Sequence, residues 1–358
     1  MKKVTSLFIF ILLCVSFVLT GYSFGKKDGQ LKAAFVYVGP IGDAGWTFAH
    51  NEGRKALEEI GVQTNAVESV PEGAEAERVI TQFASEGYDV IFTTSFGYMD
   101  TTIEVAKKFP KVIFGHCSGY KRAKNVFTYF GRMYQPKYLA GIIAGKMTKT
   151  DKIGYVAPVQ IPEVIRLINA FTLGVRSVNP KAEVHIVWTG AWVDPTLEME
   201  AANALIDAGC DIIATGADSA APMQAAEKKG LYSFGYDSDA RNKAPKSFLT
   251  APMWDWSVVY KDVIKKIKAG FTDWENLDYW DGLESGVVKL APYSKLIPSY
   301  IQKMVDARAE ELKQNDDIFV GPIRDQSGAI RVPEGVKMTD RELLSFNWFV
   351  EGVVGTLK

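Results

Sequence analysis

Tryptophan and aspartate recur in the segments that follow the apolar runs of this sequence. Those segments are Gly39–Trp46, Thr94–Asp100, Thr189–Pro195, Asp237–Asp239 and Ala251–Trp256. An indole ring that stacks on a flat base contributes roughly 1–3 kcal/mol. An ionised carboxylate accepts hydrogen bonds from ligand N–H groups, at about 1.5–3 kcal/mol each. The pattern therefore indicates a site for a flat, weakly polar ligand.

The same residues also have purely structural interpretations. Four tryptophans can pack inside the protein instead of contacting a ligand: Trp46, Trp192, Trp254 and Trp256. Asp43 and Asp100 each lie just before a predicted helix, where an aspartate can cap free backbone N–H groups. Both interpretations stay open at this stage.

Several kinds of catalytic or cofactor site find no support. The glycines of Gly39–Trp46 lack the G-x-G-x-x-G spacing of a dinucleotide site, and residues 26–358 contain neither H-E-x-x-H nor G-x-S-x-G. Asp237 and Asp239 could suggest a metal, but aspartates are common in turns and no third ligand is nearby. A nucleosidase-type hydrolase is the enzyme alternative, and its carboxylates would have to come from scattered loops. We expect a binding protein without catalytic residues, metal or cofactor.

Apolar runs rich in β-branched residues alternate with amphipathic helical stretches along most of the chain. The predicted strands are Leu31–Val38, Val62–Val67, Val90–Thr94, Val112–Gly115, Ile153–Val156, Val184–Trp188, Asp211–Thr215 and Tyr232–Tyr236. This alternation predicts two doubly wound α/β units with parallel sheets. Ligands bind beyond the carboxyl ends of such strands, so the loops rich in tryptophan and aspartate should line the site. Near the C-terminus we expect helices over Pro298–Gln314 and Arg341–Val353, with a turn, strand and turn over Gly321–Gly328.

The N-terminus has the layout of a secretory signal peptide. Lys2 and Lys3 precede an apolar run, Leu7–Leu19, that is shorter than the roughly 20 residues of a membrane span. We expect cleavage after Gly25 and a soluble periplasmic protein. A lipoprotein is the alternative, but Tyr22 stands where the lipid-bearing cysteine would be.

Length and composition narrow the class of protein further. Cleavage after Gly25 leaves 358 minus 25, or 333, residues, which predicts two lobes. The formal net charge of -1 provides no electrostatic footprint for nucleic acid. Cys117 and Cys210 are the two cysteines of the mature chain, and we favour two buried thiols over a bridge.

Five motifs in order resemble the basic membrane protein family, the purine and nucleoside receptors of bacterial ABC importers. They are Gly-Asp-Ala-Gly-Trp-Thr (42–47), Phe96-Gly-Tyr-Met-Asp100, Tyr138-Leu-Ala-Gly141 with Lys152-Ile-Gly-Tyr155, Ala191-Trp-Val-Asp-Pro195, and Phe234-Gly-Tyr-Asp-Ser-Asp239. The resemblance covers nearly all of the mature chain. It implies a type I periplasmic-binding-protein fold, two Rossmann-like lobes joined by a three-segment hinge, and an ABC permease as partner. The expected lobes are 26–134 plus about 252–284, and 135–251 plus about 285–358, in a monomer.

The resemblance also implies roles for individual residues. Trp46 and Trp192 would stack on opposite faces of a base, and Asp100 would read its edge. In nucleoside receptors, Asp237 and a lysine near Gly286 would hold the ribose, but this sequence has no lysine there until Lys289. The remaining ligand-binding candidates are Asp43, Thr47, Phe96, Tyr98 and Trp254.

The ligand we expect is a free purine base, adenine first and hypoxanthine second. The missing lysine removes support for a sugar, and tryptophans replace the smaller phenylalanines of the family. A ligand gripped from both lobes favours the closed form, because the open form cannot make both contacts. A nucleoside receptor, a sugar receptor and a receptor coupled to a sensor kinase remain alternatives with the same fold.

Overall fold

The computed structural model describes residues 30–357 and contains two parallel sheets covered by helices. The predicted signal peptide, residues 1–25, lies outside the described residues. Within the described residues, none of the helices combines the length and apolar character needed to cross a membrane. Cys117 and Cys210 are buried free thiols, which confirms the prediction for this pair.

The first lobe is built on a six-stranded parallel sheet. Its strands are β1 (Lys32–Val36), β2 (Gln63–Val67), β3 (Val90–Thr93), β4 (Ile113–Cys117), β5 (Val126–Gly131) and β11 (Asp278–Asp281), in the order β2-β1-β3-β4-β5-β11. Its helices are α1 (Trp46–Glu58), α2 (Ala74–Ser85), α3 (Met99–Lys108) and α8 (Ser257–Lys268). Every residue of β3 and β5 is buried, because helices cover both faces of the sheet.

The second lobe is built on a five-stranded parallel sheet. Its strands are β6 (Lys152–Ala157), β7 (Glu183–Trp188), β8 (Ile212–Thr215), β9 (Tyr232–Ser233) and β15 (Val353–Val354), in the order β9-β8-β6-β7-β15. The covering helices are α4 (Tyr134–Met147), α5 (Pro162–Val178), α6 (Pro195–Asp207) and α7 (Ala221–Lys228). Helices α4 and α5 approach closely at Gly141 and Gly174, where an added Cβ would meet the backbone of the other helix at 2.1 and 2.0 Å. Every residue of α4 from Tyr134 to Gly145 is consequently buried.

The chain passes between the two sheets three times. It leaves β5 for α4 through Arg132 and Met133, and it returns from β9 through β10 (Pro252–Trp254) to α8. It crosses again from β11 to β12 (Val288–Leu290), which pairs antiparallel with β10. This architecture has the two doubly wound lobes and the three connections that we expected; the exact lobe boundaries stay a prediction.

The C-terminal region differs from the predicted helix over Arg341–Val353. It contains α9 (Ser299–Gln314), a two-stranded ribbon of β13 (Ile323–Arg324) and β14 (Ile330–Val332), and the short α10 (Asp340–Leu344). The prediction is wrong beyond Leu344. There the Asn169 side chain donates to the carbonyl oxygen of Trp348 at 2.8 Å and accepts from the backbone N–H of Val350 at 3.0 Å. These bonds stabilise an irregular segment where the sequence predicted a helix.

Candidate functional site

The crevice between the lobes lies where the strand order of each sheet reverses. In the first sheet β1 lies between β2 and β3, and in the second β6 lies between β7 and β8. The loops after β1 and β8 meet across the crevice, because a Cβ added at Gly45 would be 2.8 Å from the carbonyl oxygen of Asp218. The hydroxyl of Ser238, beyond β9, donates to the carbonyl oxygen of Ala44. Ligands of open α/β sheets bind at such switch points, so we take this interlobe crevice as the candidate site.

Trp46 begins α1 at the edge of the crevice, and its indole is held in a fixed orientation. The Nε1–H group donates to the carbonyl oxygen of Thr94, the residue after β3, at 2.7 Å. Beside it lies a stack of three rings with Trp256 in the middle. The ring centroid of Trp256 is 4.5 Å from that of His50 and 4.4 Å from that of Trp254. The Trp46 ring is nearly perpendicular to all three, at 82–86°. The first lobe thus presents a preoriented indole.

Asp43 caps the N-terminus of α1. Its carboxylate accepts from the backbone N–H groups of Gly45 and Thr47 at 2.9 Å and of Phe48 at 3.0 Å. Burial raises the pKa of Asp43, and the three N–H donors oppose this shift. The capping interpretation of Asp43 is therefore what the structure shows. Thr47 is fully buried in the same turn.

Trp254 and Asp237 form one buried unit at the hinge. The Trp254 Nε1–H group donates to Asp237 Oδ1 at 2.8 Å, and both side chains are buried. Asp237 has a left-handed backbone, with φ of 63°, and its N–H donates to the carbonyl oxygen of Pro252 at 2.9 Å. The hinge strand β10 thus sets the position of this carboxylate.

Lys137, Asp218 and Asp237 form a buried polar cluster on the second-lobe side of the crevice. The Lys137 Nζ donates to the carbonyl oxygen of Thr215 at 2.6 Å and lies 3.6 Å from the Tyr236 ring centroid. Burial lowers the pKa of Lys137 to about 7, although the charges of Asp237 and Asp218 act in the opposite direction.

The two aspartates of this cluster are hydrogen bonded to each other. Burial raises the pKa of Asp218 well above its usual range, and the charge of Asp237 raises it further. Burial raises the pKa of Asp237 to about 6, opposed by its bonds to Asp218 and Trp254 and by the charge of Lys137. The raised pKa values of both groups favour one proton shared between the two carboxyl groups.

Trp192 lies next to Asp218 in the loop after β7. Its carbonyl oxygen accepts from the backbone N–H of Asp218 at 3.1 Å, and the residue is 42% exposed. The buried Glu198 ties the two loops together, because it accepts from the N–H of Asp194 at 3.0 Å and from the hydroxyl of Ser219 at 2.6 Å. Asp218 thus contacts both Gly45 of the first lobe and Trp192 of the second lobe, to which it belongs.

The segment after β3 does not reach this cluster. The side chain of Asp100 is 74% exposed and pairs with Lys121 at 2.5 Å. Phe96 is exposed beside Tyr120, with ring centroids 6.5 Å apart. Both side chains are therefore exposed, and neither belongs to the buried polar cluster.

Tyr98 and Gly286 also lie away from the polar cluster. Tyr98 is fully buried among apolar residues of the first lobe, and its hydroxyl donates to the carbonyl oxygen of Val70 at 2.5 Å. Gly286 has a φ of 83° in the turn between β11 and β12, a conformation that favours glycine. Lys289 pairs with Asp255 at 2.7 Å, so the lysine that acts on Asp237 is Lys137 instead.

Lys137 and Asp218 are not among the site residues predicted from the sequence. Asp218 follows a strand end at a switch point, so the rule that selected the other loops could have found it. Lys137 directly precedes the Tyr138-Leu-Ala-Gly141 motif and is a charged residue in the middle of an apolar helix. A lysine in such a position needs polar partners, which is a signal of a buried polar site. Within residues 30–357, no group of three or more His, Cys, Asp or Glu residues could hold a metal ion.

Comparison with known proteins identifies the family. The family model for PnrA-like ABC transporter substrate-binding proteins, named Bmp, matches residues 30–324. The chain belongs to this family. It is an extracytoplasmic substrate-binding protein that works with a permease, and not an enzyme.

Individual relatives agree with this placement. A purine-binding protein of Brucella abortus is 42% identical over 94% of this chain and 96% of its own length. TsgA13 of Haloferax volcanii, whose name assigns it glucose, is 39% identical over 92% of this chain and 82% of its own length. A solved solute-binding protein of Conexibacter woesei has a TM-score of 0.71, at 24% identity, over 80% of this chain and 97% of its own. This structural likeness confirms the type I periplasmic-binding-protein fold.

Proposed function

We propose that the protein captures a free purine base in the interlobe crevice and delivers it to an ABC permease, with adenine preferred over hypoxanthine. The observation that carries the proposal is the pairing, at the two switch points, of a preoriented indole with buried carboxyl groups. The purine-binding relative from Brucella abortus supports the same ligand class. We further propose that the signal peptide is cleaved and that a periplasmic monomer results.

The proposed ligand-binding residues make two kinds of contact with the base: stacking on its faces and polar contacts at its edge. Trp46 and Trp192 come from opposite lobes and would stack on the two faces of the base, at roughly 1–3 kcal/mol each. The buried carboxyl pair of Asp218 and Asp237 would face the edge of the base. We assign the edge to this pair rather than to Asp100, because the pair is buried at the crevice while Asp100 is exposed and paired with Lys121.

A sugar is the second candidate ligand, because the name of TsgA13 assigns it glucose. Tryptophan rings stack on sugars as well as on bases, so the indoles alone do not separate the two ligands. The polar cluster favours the base. Asp237 is already hydrogen bonded to Trp254 and Asp218, which leaves little capacity for the many hydroxyls of a sugar.

Thermal unfolding with a ligand panel tests the proposal. The panel contains adenine, hypoxanthine, guanine, adenosine, inosine, ribose and glucose. A ligand at 100 times its Kd stabilises the folded state by about 2.7 kcal/mol, which raises the midpoint by roughly 5–10 °C in a lobe of this size. We expect the largest shift with adenine and none with ribose or glucose. A shift with glucose and none with any purine would overturn the purine assignment in favour of a sugar.

A further inference from the structure

The polar cluster has an arrangement that simple packing does not require. Lys137 lies in a helix whose neighbouring residues are all buried, and a charge in such a place is costly unless polar groups surround it. Asp237 and Asp218 supply these polar groups, and both belong to loops that line the crevice. The cluster therefore lies at the interlobe boundary, where Gly45 contacts Asp218.

The hydrogen bonds within the cluster fix which atoms remain free. Asp237 accepts from Trp254 at Oδ1 and is also hydrogen bonded to Asp218. Within residues 30–357, Asp218 has Asp237 as its one side-chain partner. With one proton shared between the two carboxyl groups, the other oxygen of Asp218 is a hydrogen-bond acceptor and not a donor.

A second group points to a ligand at the same place. The hydroxyl of Tyr155 is fully buried and has no hydrogen-bond partner among the described residues. Tyr155 lies against Gly216, two residues before Asp218, and the Lys137 Nζ is 5.2 Å from its ring centroid. Buried hydroxyls are nearly always hydrogen bonded, so this one requires a partner such as a bound ligand.

We propose that Asp218 determines specificity, and that its free carboxyl oxygen accepts a hydrogen bond from an exocyclic amino group of the ligand. Lys137 and Asp237 are positioning residues, which keep one proton between the two carboxyl groups. A ligand carbonyl at the same place would face an acceptor. The proposal rests on purine binding in the crevice and explains how an aminopurine is distinguished from an oxopurine.

Calorimetric titration of the full mature chain with adenine, unsubstituted purine and hypoxanthine tests this proposal. Asp218→Ala removes the acceptor, so adenine should bind about threefold to tenfold more weakly while unsubstituted purine changes less than twofold. Asp218→Asn should behave like the wild type, because its amide can donate to Asp237 and present a carbonyl oxygen to the ligand. Lys137→Met should lower the ratio of adenine to hypoxanthine affinity, because Asp237 then also takes up a proton.

Two surface substitutions are matched controls: Asp207→Ala in the same lobe and Lys146→Met on the same helix, both at exposed positions. They should leave all three affinities unchanged. An equal loss for adenine and unsubstituted purine in Asp218→Ala would show a structural role and overturn the proposal, as would an Asp218→Asn variant that behaves like the alanine variant. Wild-type protein that binds none of the three ligands would instead overturn the proposed function itself.

Discussion

Replacing Gly45 with alanine should weaken ligand binding by preventing full closure of the two lobes. The added Cβ would lie 2.8 Å from the carbonyl oxygen of Asp218 and 2.9 Å from its Cα. These are backbone atoms of the opposite lobe, so no side-chain rotation can relieve the contact. The lobes must separate, or the loop after β1 must shift.

The size of the effect follows from the cost of overpacking. Inserting a methyl group into a closely packed contact costs about 1–3 kcal/mol. This contact exists only when the lobes meet, so the alanine destabilises the closed, ligand-binding form. Since 1.4 kcal/mol corresponds to a factor of ten, adenine should bind about 5- to 150-fold more weakly.

Titration calorimetry with adenine measures the change in affinity, and small-angle scattering with saturating adenine measures closure. Gly42→Ala is the matched control, because it lies in the same loop and its added Cβ has no atom within 4 Å. The unfolding midpoint without ligand shows whether the first lobe stays intact. Wild-type affinity in Gly45→Ala, or an equal loss in Gly42→Ala, would refute the closure argument.

Three further predictions concern stability. Trp254→Phe removes the Nε1–H donor of Asp237, so the free energy of unfolding in urea should fall by about 1–3 kcal/mol; an unchanged value would mean that this bond is not made. Burial lowers the pKa of Lys137 from 10.5 to about 7, so between these values the unfolded state binds more protons and stability should rise with pH, by at most about 1.4 kcal/mol per unit. Urea unfolding at pH 7.5 and 9.5 should show this rise in the wild type and in Lys146→Met but not in Lys137→Met; the same rise in all three would contradict the shift. Asn169→Ala removes both bonds that hold the segment after α10 and should cost about 1–3 kcal/mol in the same assay, whereas a loss below 0.5 kcal/mol would show that the segment holds itself.

The sequence predicts most of the fold because apolar strands and amphipathic helices alternate regularly. The prediction of the fold fails where this alternation of strands and helices is interrupted. Strand β5 follows β4 with no helix between them, so Val126–Gly131 did not stand out although every residue in it is buried. Strand β11 contains two aspartates and joins the edge of the first sheet beside β5, about 150 residues earlier in the chain. Pairing at that separation leaves no local signal.

Some residues of the candidate site could likewise be predicted from the sequence, and others could not. Asp43 and Trp46 could be found because they follow β1 at a switch point, and Asp237 because it follows β9. Trp254 lies in the hinge strand β10 and was found through the recurrence of tryptophan and aspartate. Lys137 reaches the crevice from the interior of a helix, which no loop rule can detect. The burial that gives it partners depends on α4 packing against α5, and this packing is a property of the tertiary structure.

A crystal structure of the mature protein grown with adenine is the most direct test of ligand capture between the lobes. We predict that the base lies between the indoles of Trp46 and Trp192, with its amino group at Asp218. Adenine bound elsewhere on the molecule, or a base in the crevice that neither indole touches, would contradict the proposed mode of binding.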